Sequence, residues 1–236
     1  SRPSARISKM AHRKVLAAIT IGQAPRVDIT KDILPLLGDR VELREYGALD
    51  AFTYEEIMER FAPQAGDEVL VSRMRDGRQA KFAERFVTPL VQEKISQAEA
   101  EGADATVLFC TGVFPKFAHK GIFLEPQPLF HAVVQKLADG RKIGVLVPMP
   151  DQVEQAYRFW GESGVDVTVA CASPYLEFEK VRQAASFFKG KDLAFLCTDC
   201  MGYSVEMKRA LEEETGLSVL LPRTLAVRIV QELLDC

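Results

Sequence analysis

Two of the five cysteines stand where thiol chemistry is feasible. Cys110 closes the apolar run Ala105 to Phe109, and Cys200 follows the run Leu193 to Cys197 after Thr198 and Asp199. A thiol at a strand end just before a helix meets free N–H donors and the positive end of the helix dipole, which lower its pKa. Cys200 fits this if a helix starts near Gly202 or Tyr203. Two such thiols facing one cleft could work as a two-base pair: a thiolate takes an α-proton and a thiol donates from the opposite face. The backbone N–H groups of Thr111, Gly112, Met201 and Gly202 could then hold a carboxylate or stabilise an enolate. The competing reading is that cysteine is often buried and behaves as a small hydrophobe. Cys171 and Cys236 are read that way.

Other residues near the same loops could take part. Asp199 could orient a partner or tune the thiol, or simply cap a helix. Arg26 could grip a substrate carboxylate bidentately, or be a solvated loop charge. Thr20, Gly22 and Gln23 could line the cleft, with Gly22 alternatively serving only the turn. Tyr203 could cover the cleft or only start a helix.

Several chemistries lack support. Cys197 and Cys200 form a CxxC, but a redox motif should open a helix, and Cys197 sits inside a strand run. As half a zinc site it lacks a second ligand pair, and His12, His119 and His131 show no ligand spacing. Each histidine reads as surface or as a satisfied polar group. No GxGxxG or GxxxxGK[ST] is present, so no nucleotide cofactor is expected, and no metal. The formal net charge of −3 and the absence of a basic, aromatic-interleaved stretch argue against nucleic acid. Arg73, Arg75, Arg78, Lys81 and Arg85 are broken up by acidic residues and read as a solvated hairpin face, with anion binding as the alternative. No apolar run approaches the roughly 18–20 residues that span a bilayer. Free thiols point to a reducing compartment, hence the cytoplasm. Residues 1–9 read as a vector-derived leader, with Met10 as the native start.

The elements that must position these residues are short apolar runs alternating with helical patterns. Strands are expected at Val15–Ile21, Val41–Tyr46, Ala105–Phe109, Ile143–Val147, Val165–Cys171, Leu193–Cys197 and Val219–Leu221. Helices are expected at Phe86–Glu101, Gln152–Glu162, Leu176–Phe188, Ser204–Thr215 and Leu225–Leu234. Val69–Ser72 and Gln79–Phe82 flank Asp76-Gly77 and read as a hairpin on a type I′ turn. Such alternation implies βαβ units and a parallel sheet. Ligands of such sheets bind outside the carboxyl ends of the strands. These ends carry Gly22-Gln23-Ala24-Pro25-Arg26, Cys110-Thr111-Gly112, Pro148-Met149-Pro150, Ala172-Ser173-Pro174 and Thr198-Asp199-Cys200. The Pro-rich stretch Glu125–Pro128 and a fresh series after Gly140 suggest two α/β lobes. One comprises residues 10–125, with residues 222–236 packing back on it; the other comprises residues 126–221.

The motifs Ile19-Thr20-Ile21-Gly22-Gln23-Ala24-Pro25-Arg26, Tyr54-Glu55-Glu56-Ile57 through Phe61-Ala62-Pro63-Gln64-Ala65-Gly66, Ile122-Phe123-Leu124-Glu125-Pro126 and Asp199-Cys200-Met201-Gly202-Tyr203 together resemble the AroM family. The resemblance runs from about Val15 to Leu234. More distantly, the chain is similar to the aspartate/glutamate racemase superfamily. That likeness implies two Rossmann-like lobes with mostly parallel sheets, a cleft between them, and thiol chemistry without pyridoxal phosphate or metal. Cys110-Thr111-Gly112 then stands at the first Cys motif, and Cys200-Met201-Gly202 at the second. Departures put amino-acid racemisation in doubt: no Asn follows the first Cys, the second motif lacks Cys-Thr-Glu, and Gly22-Gln23 replaces Asp-Ser. The expectation is a cofactor-independent racemase, isomerase or decarboxylase acting on a small carboxylate through Cys110 and Cys200, possible as a homodimer. The alternative is a non-catalytic small-molecule-binding or regulatory protein on the same fold.

Overall fold

A computed structural model describes residues 12–235. The leader, the proposed start at Met10, and Cys236 lie outside the described residues. The first half runs β1 (Lys14–Thr20), α1 (Val27–Leu37), β2 (Val41–Gly47), α2 (Tyr54–Arg60), β3 (Val69–Arg73), β4 (Gln79–Ala83), α3 (Glu84–Ala100), β5 (Ala105–Leu108) and β6 (Ile122–Leu124). The second runs α4 (Pro126–Ala138), β7 (Ile143–Val147), α5 (Asp151–Glu162), β8 (Val167–Cys171), α6 (Phe178–Phe188), β9 (Leu196–Thr198), α7 (Val205–Thr215), β10 (Val219–Leu220) and α8 (Pro222–Leu234). Two four-stranded sheets result, ordered β2-β1-β5-β6 and β10-β9-β7-β8, and every pairing in them is parallel. The α/β class with parallel sheets is therefore the one the alternating pattern predicts.

The central strand of each sheet is buried on both faces, as a parallel sheet covered by helices requires. In β1 successive side chains point to opposite faces. Ala17 and Ile19 meet Val87, Val91 and Ile95 of α3, while Leu16 and Ala18 meet Ile29 and Ile33 of α1. In β7, Val145 and Val147 join Trp160 and Phe130, while Leu146 joins Phe188 and Leu211. Gly144 is a glycine because a Cβ there would lie 2.3 Å from Leu196 Cδ2 and 2.8 Å from Phe188 Cδ1. The last helix, α8, does not stay with the second sheet. Its Ala226, Val227, Val230 and Leu234 complete the core around Ile29 and Ile33.

Four elements were missed by periodicity: α1, α2, α4 and β6. The Pro-rich stretch near Pro126 does not interrupt structure; it starts α4, because proline is preorganised for the first helical turn. α8 likewise begins at Pro222, three residues earlier than expected. Thr53 and Glu56 form a reciprocal capping box that starts α2. The hairpin at β3 and β4 is present and antiparallel, but its turn is not type I′. Gly77 alone is left-handed (φ 91°), and its N–H closes on the Met74 carbonyl at 2.9 Å, a wider turn than Asp-Gly alone implies. The basic residues of this hairpin all have acidic partners, among them Asp28, Asp50, Asp67 and Asp151. No helix among the described residues is long and apolar enough to cross a membrane.

Candidate active site

Cys110 and Cys200, from the ends of β5 and β9, line one cavity of about 50 Å³ between the two sheets. Thr111, Gly112 and Asp199 share its wall, so the structure brings five of the sequence-selected residues together. The remaining wall comes from Glu68 to Val71 on and beside β3, Val147, and Gln152, Gln155, Ala156 and Phe159 of α5. That space takes a few water molecules, which need about 10–15 Å³ each, and the cavity is partly open.

One of these walls is the hairpin. It belongs to neither sheet and leans from the first half onto α5. Val69 N–H donates to Gln155 Oε1 at 2.9 Å, and Gln155 and Gln152 donate back to the Val69 carbonyl at 3.2 and 3.3 Å. Lys81–Asp151, Arg158–Glu68 and Ser173–Gln79 contacts add to this seam.

The environment of the sulfurs differs from expectation. Helix α7 starts only at Val205, capped by Ser204, whose hydroxyl accepts from Met207 N–H at 3.2 Å. Cys200 is thus too far ahead of the helix to feel its dipole. The amides expected to grip a carboxylate serve the thiols instead: Gly112 N–H points at Cys110 Sγ (3.2 Å), and Gly202 N–H at Cys200 Sγ (3.4 Å). Burial pushes both thiols above their ordinary pKa. At Cys200 the Tyr175 hydroxyl, Gly202 N–H and Arg26 act in the opposite direction. At Cys110 the Gly112 N–H and Arg26 do so, while Cys200 and Asp199 add to the rise.

Asp199 is not a helix cap. Its Oδ2 accepts from Trp160 Nε1 at 3.1 Å, and its Oδ1 has no hydrogen-bond partner among the described residues. The residue is half-buried and lines the cavity, and burial raises its carboxyl to about 6, with Thr111 and Trp160 drawing it back. His131 stacks on the other side of this indole, ring centroids 3.7 Å apart, with Nδ1 2.9 Å from Ser163 Oγ. It is the satisfied polar group that the sequence suggests, and burial lowers its pKa to about 4.

Arg26 is neither a solvated loop charge nor free for a ligand. It is fully buried, and each of its five N–H donors is engaged. Nε and Nη2 hold the two oxygens of Asp28 at 2.8 Å, Nη1 reaches Thr20 Oγ1 (3.3 Å) and Ser72 Oγ (3.0 Å), and Nη2 also reaches Tyr175 Oη (3.3 Å). Thr20 therefore braces Arg26 behind the cavity. Gln23 braces the hairpin base: its amide donates to the Phe52 carbonyl at 2.7 Å and its oxygen accepts from Arg75 N–H at 3.0 Å. Gly22 permits the hairpin's close approach, since a Cβ would lie 2.5 Å from Met74 Cε. Met201 packs into the first half's core. Tyr203 is fully buried and donates to the Ala172 carbonyl at 2.8 Å, so it neither covers the cavity nor starts α7.

Two residues the sequence did not single out complete the surroundings. Tyr175, in the loop after β8, holds its hydroxyl 3.3 Å from Cys200 Sγ. The motif Ala172-Ser173-Pro174 pointed at this loop but stopped one residue short. Arg223, on α8, is fully buried beneath the Cys200 loop. It donates to the carbonyls of Met201 and Gly202 and, from the other side, to the Asp28 carbonyl and Asp32 Oδ2, all at 2.8–3.0 Å. The other cysteines stay apart: Cys197 is buried in the core on the opposite face of the sheet from Cys200, and Cys171, expected to be core, is exposed. Cys197 and Cys200 are both free thiols, and no three His, Cys, Asp or Glu among the described residues could jointly hold a metal ion.

Comparison with known proteins agrees with this fold. The family model described as AroM protein matches residues 16–234. The fold is similar to the Picrophilus torridus aspartate racemase (TM-score 0.58, 13% identity, covering 94% of both chains). It is also similar to the Nocardia farcinica maleate cis-trans isomerase bound to TRIS (0.65, 11%, 94% of this chain and 92% of that one). A third likeness is to a double mutant of arylmalonate decarboxylase in a liganded form (0.65, 12%, 94% and 92%). These establish the aspartate/glutamate racemase-like fold. No curated protein sequence matches the chain.

Proposed function

Because the chain belongs to the AroM family, whose fold here is that of racemases, isomerases and decarboxylases, we propose that it is a thiol acid/base enzyme acting on a small carboxylate in the cavity between its sheets, without a cofactor. The observation that carries this reading is that Cys110 and Cys200 line the same cavity. A carbon acid held between them loses a proton to one sulfur as its C–H bond breaks and an S–H bond forms. It then gains one from the other sulfur on the opposite face. If the carbanion arises by loss of carbon dioxide instead, only the donating thiol is needed. The Thr111 hydroxyl, beside Asp199 on the cavity wall, supplies a donor to the substrate carboxylate. The free thiols suit a reducing compartment, so we place the protein in the cytoplasm.

The test is deuterium uptake at carbon, followed by proton NMR, for a panel of small mono- and dicarboxylates. Uptake by the wild type that disappears in Cys110→Ala and Cys200→Ala supports the reading. Uptake that persists in the double variant refutes it. A second reading, binding without turnover, is favoured by the burial that raises both thiols and by the full engagement of Arg26. Saturable binding of a panel acid with no carbon exchange selects it.

A further inference from the structure

Among the described residues, Cys200 Sγ faces two hydrogen-bonding groups, Gly202 N–H and the Tyr175 hydroxyl, whereas Cys110 Sγ faces only Gly112 N–H. From this asymmetry we propose that Cys200 is the base of the pair and Cys110 the acid, with Tyr175 as the positioning residue that sets the order. The proposal rests on the acid/base reading above and deepens it.

The direction of the Tyr175 hydrogen bond follows from its neighbour. A guanidinium has donors only. Where Arg26 Nη2 meets Tyr175 Oη, the phenol oxygen must therefore accept. The phenol has one proton, and Cys200 Sγ is the group left for it to reach. Arg26 is fixed in this role by both oxygens of Asp28 and by Thr20 and Ser72. Its guanidinium also lies over the Tyr175 ring, 5.4 Å from the centroid. Ser173 Oγ accepts the Tyr175 N–H at 3.1 Å and fixes the loop. Gly202 leaves the phenol its place: a Cβ there would stand 2.4 Å from Tyr175 Oη. A hydrogen bond donated to sulfur favours the thiolate, and one to an ionised acceptor is stronger than one to a neutral group. The other titratable groups near this sulfur are Asp199, Tyr203 and Cys110, and the Asp199 charge disfavours ionisation of both thiols.

The cycle then has a fixed sense. Cys200 first gives its proton to solvent. Its thiolate takes the substrate's α-proton, breaking C–H and forming S–H. The carbanion's electron pair takes the Cys110 proton on the opposite face. A proton returning from Cys200 to Cys110 through solvent resets the pair.

Per-residue titration tests this without any substrate. Iodoacetamide labelling across pH, with peptide mapping, gives one midpoint for each thiol. Cys200 is expected to ionise at lower pH than Cys110. In Tyr175→Phe the Cys200 midpoint should rise by about one to two units, which slows its labelling about 10- to 100-fold below the midpoint, while the Cys110 midpoint holds. Midpoints rather than rates are read, because removing the hydroxyl also changes access. An unmoved Cys200 midpoint in Tyr175→Phe overturns the proposal, as does Cys110 ionising first in the wild type. The wild-type order decides alone if the variant does not fold. If no panel acid exchanges while the titration behaves as expected, the enzyme reading fails and the thiol order stands. If exchange needs both thiols but the Tyr175→Phe midpoint is unmoved, only the Tyr175 assignment fails.

Discussion

Trp160 donates its indole N–H to Oδ2 of Asp199 across 3.1 Å, and this bond ties the packed interior of the second sheet to the cavity wall. The other carboxylate oxygen is left buried and unpartnered. Ionising Asp199 therefore costs more in the folded protein than in the unfolded chain, which is why its pKa rises to about 6.

Asp199→Asn should stabilise the protein above pH 7 and not below pH 4. A carboxyl with a raised folded pKa binds more protons when folded. Its contribution is thus fully favourable below the ordinary value of 3.8 and is lost as pH climbs toward 6. Two units correspond to about 2–3 kcal/mol at pH 7.5, an upper figure because the residue is only half-buried. Asn can still accept from Trp160. Melting temperatures of both proteins at pH 4 and 7.5 check this, and an equal difference at the two pH values would refute it.

Gly202→Ala should mimic loss of the Tyr175 hydroxyl. The added methyl would meet Tyr175 Oη at 2.4 Å and Cε1 at 2.5 Å and push the ring off Cys200. Overpacking of this kind costs about 1–3 kcal/mol. The Cys200 labelling midpoint should move up and that of Cys110 stay. Equal movement of both would mean a general distortion of the cavity.

Gln155→Ala should open the cavity without changing thiol acidity. It removes the amide that exchanges hydrogen bonds with both backbone groups of Val69. Labelling at Cys110 and Cys200 should accelerate several-fold at every pH, with unchanged midpoints, and the Val69 amide should exchange faster with deuterium. Unchanged labelling would show that the hairpin is not the route in.

Arg223→Met should cost about 3–5 kcal/mol, the range for removing one partner of a buried ion pair. It leaves Asp32 with Val205 N–H alone and strands the carbonyls of Met201 and Gly202. Chemical denaturation measures this directly, and a loss under 1 kcal/mol would contradict it.

Much of this was legible in the chain because it depends on local pattern. Buried parallel strands announce themselves as apolar runs, and the strand-end rule led to Cys110, Thr111, Gly112, Asp199 and Cys200, which do share a wall. Roles that depend on distant partners were not legible. Nothing near Arg26 in sequence reveals that Ser72 and Tyr175 use up its last donors. Gln152 and Gln155 look like solvated positions of an amphipathic helix until the hairpin is seen lying across them. The acidity expected of Cys200 failed on a boundary: α7 starts at Val205, and Cys200 lies outside its field.

Arg223 lies on the final helix, yet it supports the loop of Cys200 and grips α1 of the first half. The same helix supplies Val227 and Val230 to the core beneath β1. During synthesis, then, the first sheet keeps part of the face under α1 open until α8 has been made. Contacts spanning about 195 residues close last and slowest. A chain cut short before Pro222 would lack both part of the cover of that face and the floor under the second thiol. Copies without this helix would carry an exposed apolar patch and an unsupported Cys200 loop.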